Sequence, residues 1–288
     1  MILIADSGST KTDWALISIA KDSKPIVSYH FTQGLNPIHQ SAATIKTIIT
    51  KELLTHITKV DSIDKVFFYG AGCTKYFSYI INSVLQETFP CSEIEVEGDL
   101  LGASKALYGN ESGIACILGT GSNSCYYDGE NIIKNIPALG FILGDEGSGA
   151  AIGKSFINSI FKERLSSDIR DLYLKETKLD YKEIISNVYS NPLPNRFLAS
   201  CAKFIAKHIE YPELQSLVKD NFNLFFKYNL LKYLDYDTNR IAAVGSIAFH
   251  FRSILEASAV DFGMELTKVI KSPIDGLTEY HIEKLTNY

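Results

Sequence analysis

Apolar and polar positions group into strand-like and helix-like segments in an order that occurs twice along the chain. Ile2–Asp6 is an apolar run, Ser7-Gly8-Ser9-Thr10-Lys11-Thr12 is a turn of small and polar residues, and Asp13–Ile19 alternates as a returning strand. Ile26–Phe31 reads as a third strand. Pro37 suits a helix start, and Ile38, Ala42, Ile45, Ile48, Ile49 and Leu53 recur at helical spacing. Lys65–Tyr69 is a buried-type strand ending at Gly70-Ala71-Gly72. Tyr76–Phe89 is helical, Ile94–Val96 is a short strand, and Leu100–Leu107 reads as a helix.

From Gly113 the order begins again. Ile114–Leu118 stops at Gly119-Thr120-Gly121-Ser122, and Ser124–Tyr127 and Ile132–Asn135 follow as strands. The region from Ala150 to about Leu234 is helical. Arg240–Val244 is the next strand, a helix runs from about Ala248 to Ala257, Phe262–Val269 is the last strand, and Pro273 introduces a C-terminal helix. Such an order makes an α/β fold with mixed sheets and crossover helices. The pattern divides the chain into residues 1–110 and 111–271, with a helical insert in the second part and helix 272–288 returning to the first.

Composition narrows the function classes. The chain has 288 residues, enough for two cores, with 46% hydrophobic and 21% charged residues and a formal net charge of -5. No basic run supports nucleic-acid binding, and no apolar run reaches membrane-spanning length. The first residues read as a strand rather than a signal peptide. The five cysteines form no C-x-x-C pair. Reduced thiols and a cytoplasmic location are expected, without a zinc or iron–sulfur site.

Candidate chemistry lies at the two strand turns. Each exposes backbone N–H groups and hydroxyls, and glycine lets the backbone approach an anion. Two such turns, one per domain, could grip a polyphosphate. Asp6 would meet a hydrated Mg²⁺, which takes few carboxylates, and Lys11 would neutralise phosphate charge. The Walker A spacing and the G-x-G-x-x-G fingerprint are both absent. Each feature alone also has a plain structural reading. The glycine turns can be ordinary hairpins, Asp99, Asp145 and Glu146 can cap helices, and Asn36 before Pro37 is a favoured turn pair.

Taken in order, Asp6–Thr12, Asn36, Glu97-Gly98-Asp99, Leu118–Asn123, Gly144–Ser148 and Val244-Gly245-Ser246 resemble the N-acetylglucosamine kinase family, of the BadF/BadG-type ATPase group in the sugar kinase, actin and heat-shock chaperone superfamily. The resemblance implies duplicated ribonuclease H-like (actin-like ATPase) α/β domains with ATP in a cleft between them. It implies Asp99 as the catalytic base, and sugar contacts from Asn36, Asp99, Ser122, Asn123, Gly140 and Asp145. Thr10, Lys11, Thr12, Gly119, Thr120 and Gly121 match the phosphate side, and Gly245 and Ser246 the adenosine side. The flanks of Asp99 (Gly98 and Leu100) and Leu139-Gly140-Phe141 depart from the family pattern at the sugar wall, and Ser7 replaces a usual glycine.

The implied activity is transfer of a phosphoryl group from ATP, with Mg²⁺, to the 6-hydroxyl of an amino sugar. N-acetylglucosamine comes first, with glucosamine and N-acetylmuramic acid as alternatives. A rival reading is an ATPase that activates a partner enzyme. Activators of that kind hold an iron–sulfur cluster through cysteines, and the dispersed cysteines here argue against it. A sugar-binding regulator without catalysis is a third reading, against which Asp6 and Asp99 both stand. Family members are often dimers, which leaves a homodimer open.

Overall fold

The computed structural model describes residues 1–8, 10–18, 24–57 and 59–286. Ser9 of the first turn and Ile19 at the end of its second strand lie outside the described residues. The chain divides into two compact units. One comprises Met1–Glu111, Gly129–Asn131 and Ser272–Tyr288, the other Ser112–Asp128 and Ile132–Lys271.

In the first unit, strands β1 (Ile2–Ser7), β2 (Lys11–Ser18) and β3 (Ile26–Gln33) form an antiparallel meander. Helix α1 (Ala42–Ile48) follows and passes into a π-helical turn, Ile49–Leu53. It starts later than Pro37 suggests. Ser41 is its cap, accepting from the Thr44 amide at 3.2 Å, and residues 37–40 are a turn. Strand β4 (Lys65–Gly70), helix α2 (Ser78–Thr88), strand β5 (Glu93–Gly98) and helix α3 (Asp99–Tyr108) complete the run. The sheet order is β3-β2-β1-β4-β5, with β1, β4 and β5 parallel. β1 is buried on both faces, so its residues are apolar almost without alternation. One face holds a core that includes Leu3, Ala5, Trp14, Val66 and Phe68 under α1 and α2.

The second unit repeats this plan with strands β6 (Gly113–Leu118), β7 (Ser122–Tyr127) and β8 (Ile132–Ile136). The short helix α4 (Gly140–Leu143) leads to α5 (Gly149–Phe161), α6 (Ser167–Thr177), α7 (Tyr181–Tyr189), α8 (Pro194–Lys207) and α9 (Pro212–Tyr228), then a 3₁₀ stretch, Leu230–Tyr236. Proline opens α8 and α9, and Asp180 with Glu183 forms a capping box on α7. β9 (Arg240–Val244) is followed by α10 (Ser246–His250) and α11 (Arg252–Asp261), two helices where the sequence pattern indicates one, and then by β10 (Glu265–Ile270). Sheet order β8-β7-β6-β9-β10 matches the first sheet strand for strand. The duplicated α/β architecture expected from the sequence is therefore present. The last helix, α12 (Ile274–Thr286), is part of the first unit.

Candidate active site

Within the first unit, the end of β1 carries the acidic centre. Asp6 faces Asp13 of β2 in register, and the charges of Asp13 and Asp99 both act on it. Burial first, then Asp13 and Asp99, push the Asp6 carboxyl up to about 8, while Lys11 pulls it down. Lys11 pairs with Asp13 (Nζ–Oδ2, 2.7 Å), and the Ser272 hydroxyl donates to the same oxygen at 3.1 Å. Thr10 is exposed and its carbonyl accepts from the Gly34 amide at 3.1 Å. The Thr12 hydroxyl turns away from the turn. It is buried, 2.7 Å from Ser7 Oγ and donating to the Gln33 carbonyl, because β2 alternates and places Thr12 on the core face. The serine at position 7 serves the interior too, since its hydroxyl also bonds the Leu35 backbone.

Asp99 is the first residue of α3, with Gly98 as the cap. It is half-buried, and burial raises its carboxyl to about 6, against the pull of the Leu100 and Asp99 amides. Cys73 lies near it, its thiol pushed up to about 12 by burial and by Asp99 and Glu97. Asn36 turns its amide oxygen inward, where it accepts from the Ile38 amide at 2.9 Å. A β-carbon on Gly72, which has φ +82°, would meet that amide oxygen. The turn after β4 is thus fitted to Asn36, leaving its Nδ2 as the group it can offer a ligand.

Within the second unit, the turn between β6 and β7 closes with Gly119 N–H donating to the Gly121 carbonyl at 2.9 Å. The helix α5 is bound to this turn. The Gly149 and Ala150 amides donate to the Gly119 and Thr120 carbonyls at 2.8 and 3.1 Å, and Ser148 caps the helix by accepting from Ala151. Asp145 is 8% exposed, and its Oδ1 accepts from the Ser122 amide at 3.3 Å. A side chain on Gly121 would meet this carboxyl at 3.0 Å, so glycine makes room for it. Burial raises the Asp145 pKa, the Ser122 amide opposes, and the charges of Glu146 and Lys154 act in opposite senses. Asp145 adopts φ +56°, an uncommon conformation for a non-glycine residue.

Asn123 spends its amide oxygen on Ser124 N–H and Asn135 Nδ2. Gly140 has φ +73° and open space around it. Gly245, φ +122°, lies so close to the Leu118 carbonyl that a β-carbon would collide with it, and Ser246 is exposed at the start of α10. Each sheet therefore brings its own set together: Asp6, Lys11, Asn36 and Asp99 in one, and Gly119–Asn123, Asp145 and Gly245 in the other.

Four residues with a part in these sets carry no motif in the sequence. Asp13 and Gly72 support Lys11 and Asn36. Asn229 Nδ2 holds Glu146 at 3.4 Å, and Lys154 reaches the Phe141 carbonyl at 3.4 Å. Only Gly72 has a local signal, the glycine pair closing β4.

The donor set fits Mg²⁺ in one respect. A carboxyl held up to about 8 beside two others would be relieved by a divalent cation. Among the described residues no group of three or more His, Cys, Asp or Glu is placed to hold a metal. All five cysteines are free thiols, and among the described residues no helix is long and apolar enough to cross a membrane.

The chain is similar to several solved structures. A Porphyromonas gingivalis protein provisionally assigned as an N-acetylglucosamine kinase is 46% identical, with 98% of each chain covered and a TM-score of 0.92. A Chromobacterium violaceum protein with the same provisional assignment is 18% identical over 97% of this chain and 98% of its own, at TM-score 0.72. A ROK family glucokinase from Streptomyces griseus, in complex with glucose and AMPPNP, is 11% identical over 97% of each chain, at TM-score 0.54. The last two share the fold. No protein-family model matches the chain, and no curated protein matches it.

Proposed function

From the premise that this chain belongs to the sugar kinases of the actin-like ATPase superfamily, we propose that it phosphorylates the 6-hydroxyl of an amino sugar, N-acetylglucosamine foremost, at the expense of ATP. The assignment of the P. gingivalis relative supports that sugar, and the ordered motifs support a BadF/BadG-type kinase.

The carrying observation is Asp99. A carboxyl at the first residue of a helix, raised to about 6, is ionised at neutral pH yet basic enough to take a proton. In the proposed mechanism Asp99 accepts the proton of the attacking hydroxyl. Asn36 Nδ2 donates to a sugar oxygen, and Asp145 accepts from a sugar hydroxyl. The backbone of Gly119-Thr120-Gly121 and the Lys11 ammonium hold phosphate oxygens. Asp6 would hold a hydrated Mg²⁺, which would supply further positive charge against those oxygens. Phosphoryl transfer asks mainly for this positioning and neutralisation.

A coupled ADP-release assay across N-acetylglucosamine, glucosamine, N-acetylmuramic acid and glucose tests the reading. Sugar-dependent ADP release highest with N-acetylglucosamine supports it. Release that is independent of every sugar overturns it in favour of a partner-activating ATPase.

A further inference from the structure

Two close contacts decide where α3, and with it Asp99, stands on the sheet, whereas Gly98 at the helix start makes only ordinary contact with the Cys73 carbonyl. One turn on, Gly102 lies against Tyr69, where a β-carbon would come within 2.7 Å of the tyrosine Cβ. Near the end, Gly276 of α12 approaches α3 so closely that a β-carbon would lie 2.5 Å from the Ala106 carbonyl oxygen.

Tyr69 is at the centre of this arrangement. It is 1% exposed and stands beside Asp6 in the β1–β4 register. Its hydroxyl lies 3.0 Å from His281 Nε2 and accepts from Lys105 Nζ at 3.3 Å. An ammonium only donates, so in the contact with the imidazole the tyrosine O–H is the donor. The His281 ring is buried, stacked on Phe67 with centroids 4.0 Å apart. Burial, with Lys105 and Lys284 nearby, keeps it neutral, its pKa lowered to about 3. The Lys105 ammonium also lies over the rings of Tyr69 and Tyr280, at 5.2 and 5.5 Å. One buried polar chain therefore links a helix α3 residue, a strand β4 residue and a helix α12 residue. An apolar contact would let α3 slide on the sheet, whereas a satisfied polar chain admits one height and register.

We infer that Tyr69 and His281 are positioning residues for Asp99: through Lys105, and with the Gly102 and Gly276 contacts, the C-terminal helix holds α3 where the Asp99 carboxyl meets the reacting hydroxyl. The inference rests on the kinase reading for its catalytic consequence, while the placement of α3 can be measured without it.

Two variants of the full chain test it. Tyr69→Phe keeps the ring and removes the hydroxyl. Gly276→Ala drives a methyl against the α3 backbone. A misplacement of about 1 Å costs roughly 10²-fold in rate. We expect kcat to fall by about that factor in Gly276→Ala and about tenfold in Tyr69→Phe, with the KM for ATP within about twofold of wild type in both. Melting of Tyr69→Phe serves as the folding control, and that variant decides alone if Gly276→Ala does not fold. Carbon-13 NMR of the Asp99 carboxyl supplies a readout independent of turnover: its titration midpoint should move from the wild-type value in a folded variant. A wild-type enzyme that phosphorylates no sugar defeats the kinase reading and leaves the NMR test standing. An unmoved Asp99 titration in the folded variants overturns the inference, whatever the kinetics show.

Discussion

Replacing Asp99 by Asn separates a base from a helix-end residue, and the structure sets the size of the effect. The carboxyl titrates near 6, so at pH 5 about one enzyme in eleven carries it ionised. If Asp99 is the base, kcat/KM for the sugar should fall about tenfold from its plateau between pH 7 and pH 5 in the wild-type enzyme. Asp99→Asn retains size and hydrogen bonding but cannot accept the proton. Its kcat should be lower by about 10²–10⁴-fold, and its acid limb with a midpoint near 6 should vanish. The cost in stability should be small. The cap is Gly98, not Asp99, and a charge at the first turn contributes about 0.3–1 kcal/mol, here opposed by the burial that raises the carboxyl. The assay is coupled ADP release from pH 5 to 8 at saturating ATP and Mg²⁺, with thermal melting as the control. A folded Asp99→Asn enzyme with normal kcat, or one keeping the same acid limb, would refute the assignment.

Further expectations concern neighbouring residues. Asn36→Asp keeps the oxygen that accepts from Ile38 but loses the Nδ2 donor, so the sugar KM should rise about tenfold, the worth of one hydrogen bond, with the ATP KM unchanged; equal change in both constants would count against it. Gly245→Ala should lower stability by about 1–3 kcal/mol from its φ of +122° alone, more with the Leu118 clash, and should weaken ATP binding, as read by melting and calorimetry. Stability itself should depend on pH in an unusual sense. Folded Asp6 keeps its proton up to about 8 and folded Asp99 up to about 6, whereas an ordinary aspartate loses it at 3.8, and these two protons outweigh the one that buried His281, lowered to about 3, gives up below 6.5. Without Mg²⁺ the melting temperature should therefore fall from pH 4 toward pH 8, and Asp6→Asn should flatten the slope; an unchanged slope in that variant would exclude Asp6 as its source.

What the chain disclosed before its structure was known depended on locality. β1 and β6 were legible because each is an apolar run ended by small residues, and their repetition exposed the duplication. The region of α5–α9 was legible as helix from spacing alone. The helix start at Ala42 was misplaced because Pro37 outranked the quieter cap at Ser41. The direction of the Thr12 hydroxyl was not legible, because a motif records order, while strand alternation decides which face a hydroxyl takes. The partnership of Gly72 with Asn36, or of Tyr69 with His281, joins positions far apart in sequence, and neither residue type announces such a partner. Long-range register is what the linear pattern lacks.

The membership of α12 in the first unit has a consequence for biosynthesis. Residues 1–111 emerge first from the ribosome, yet the sheet face bearing Phe67 and Tyr69, which α3 covers in part, is not completed until residues 272–286 arrive. The second unit, drawn mostly from the uninterrupted stretch between, can complete its core while the first is still waiting. The nascent chain thus carries a partly uncovered apolar face, with Ile2 and Ile4 beside it, through most of its synthesis. Closing it brings together residues more than two hundred positions apart, the slow class of contact. The order of manufacture is the reverse of what the order of the sequence suggests: the unit begun first is finished last.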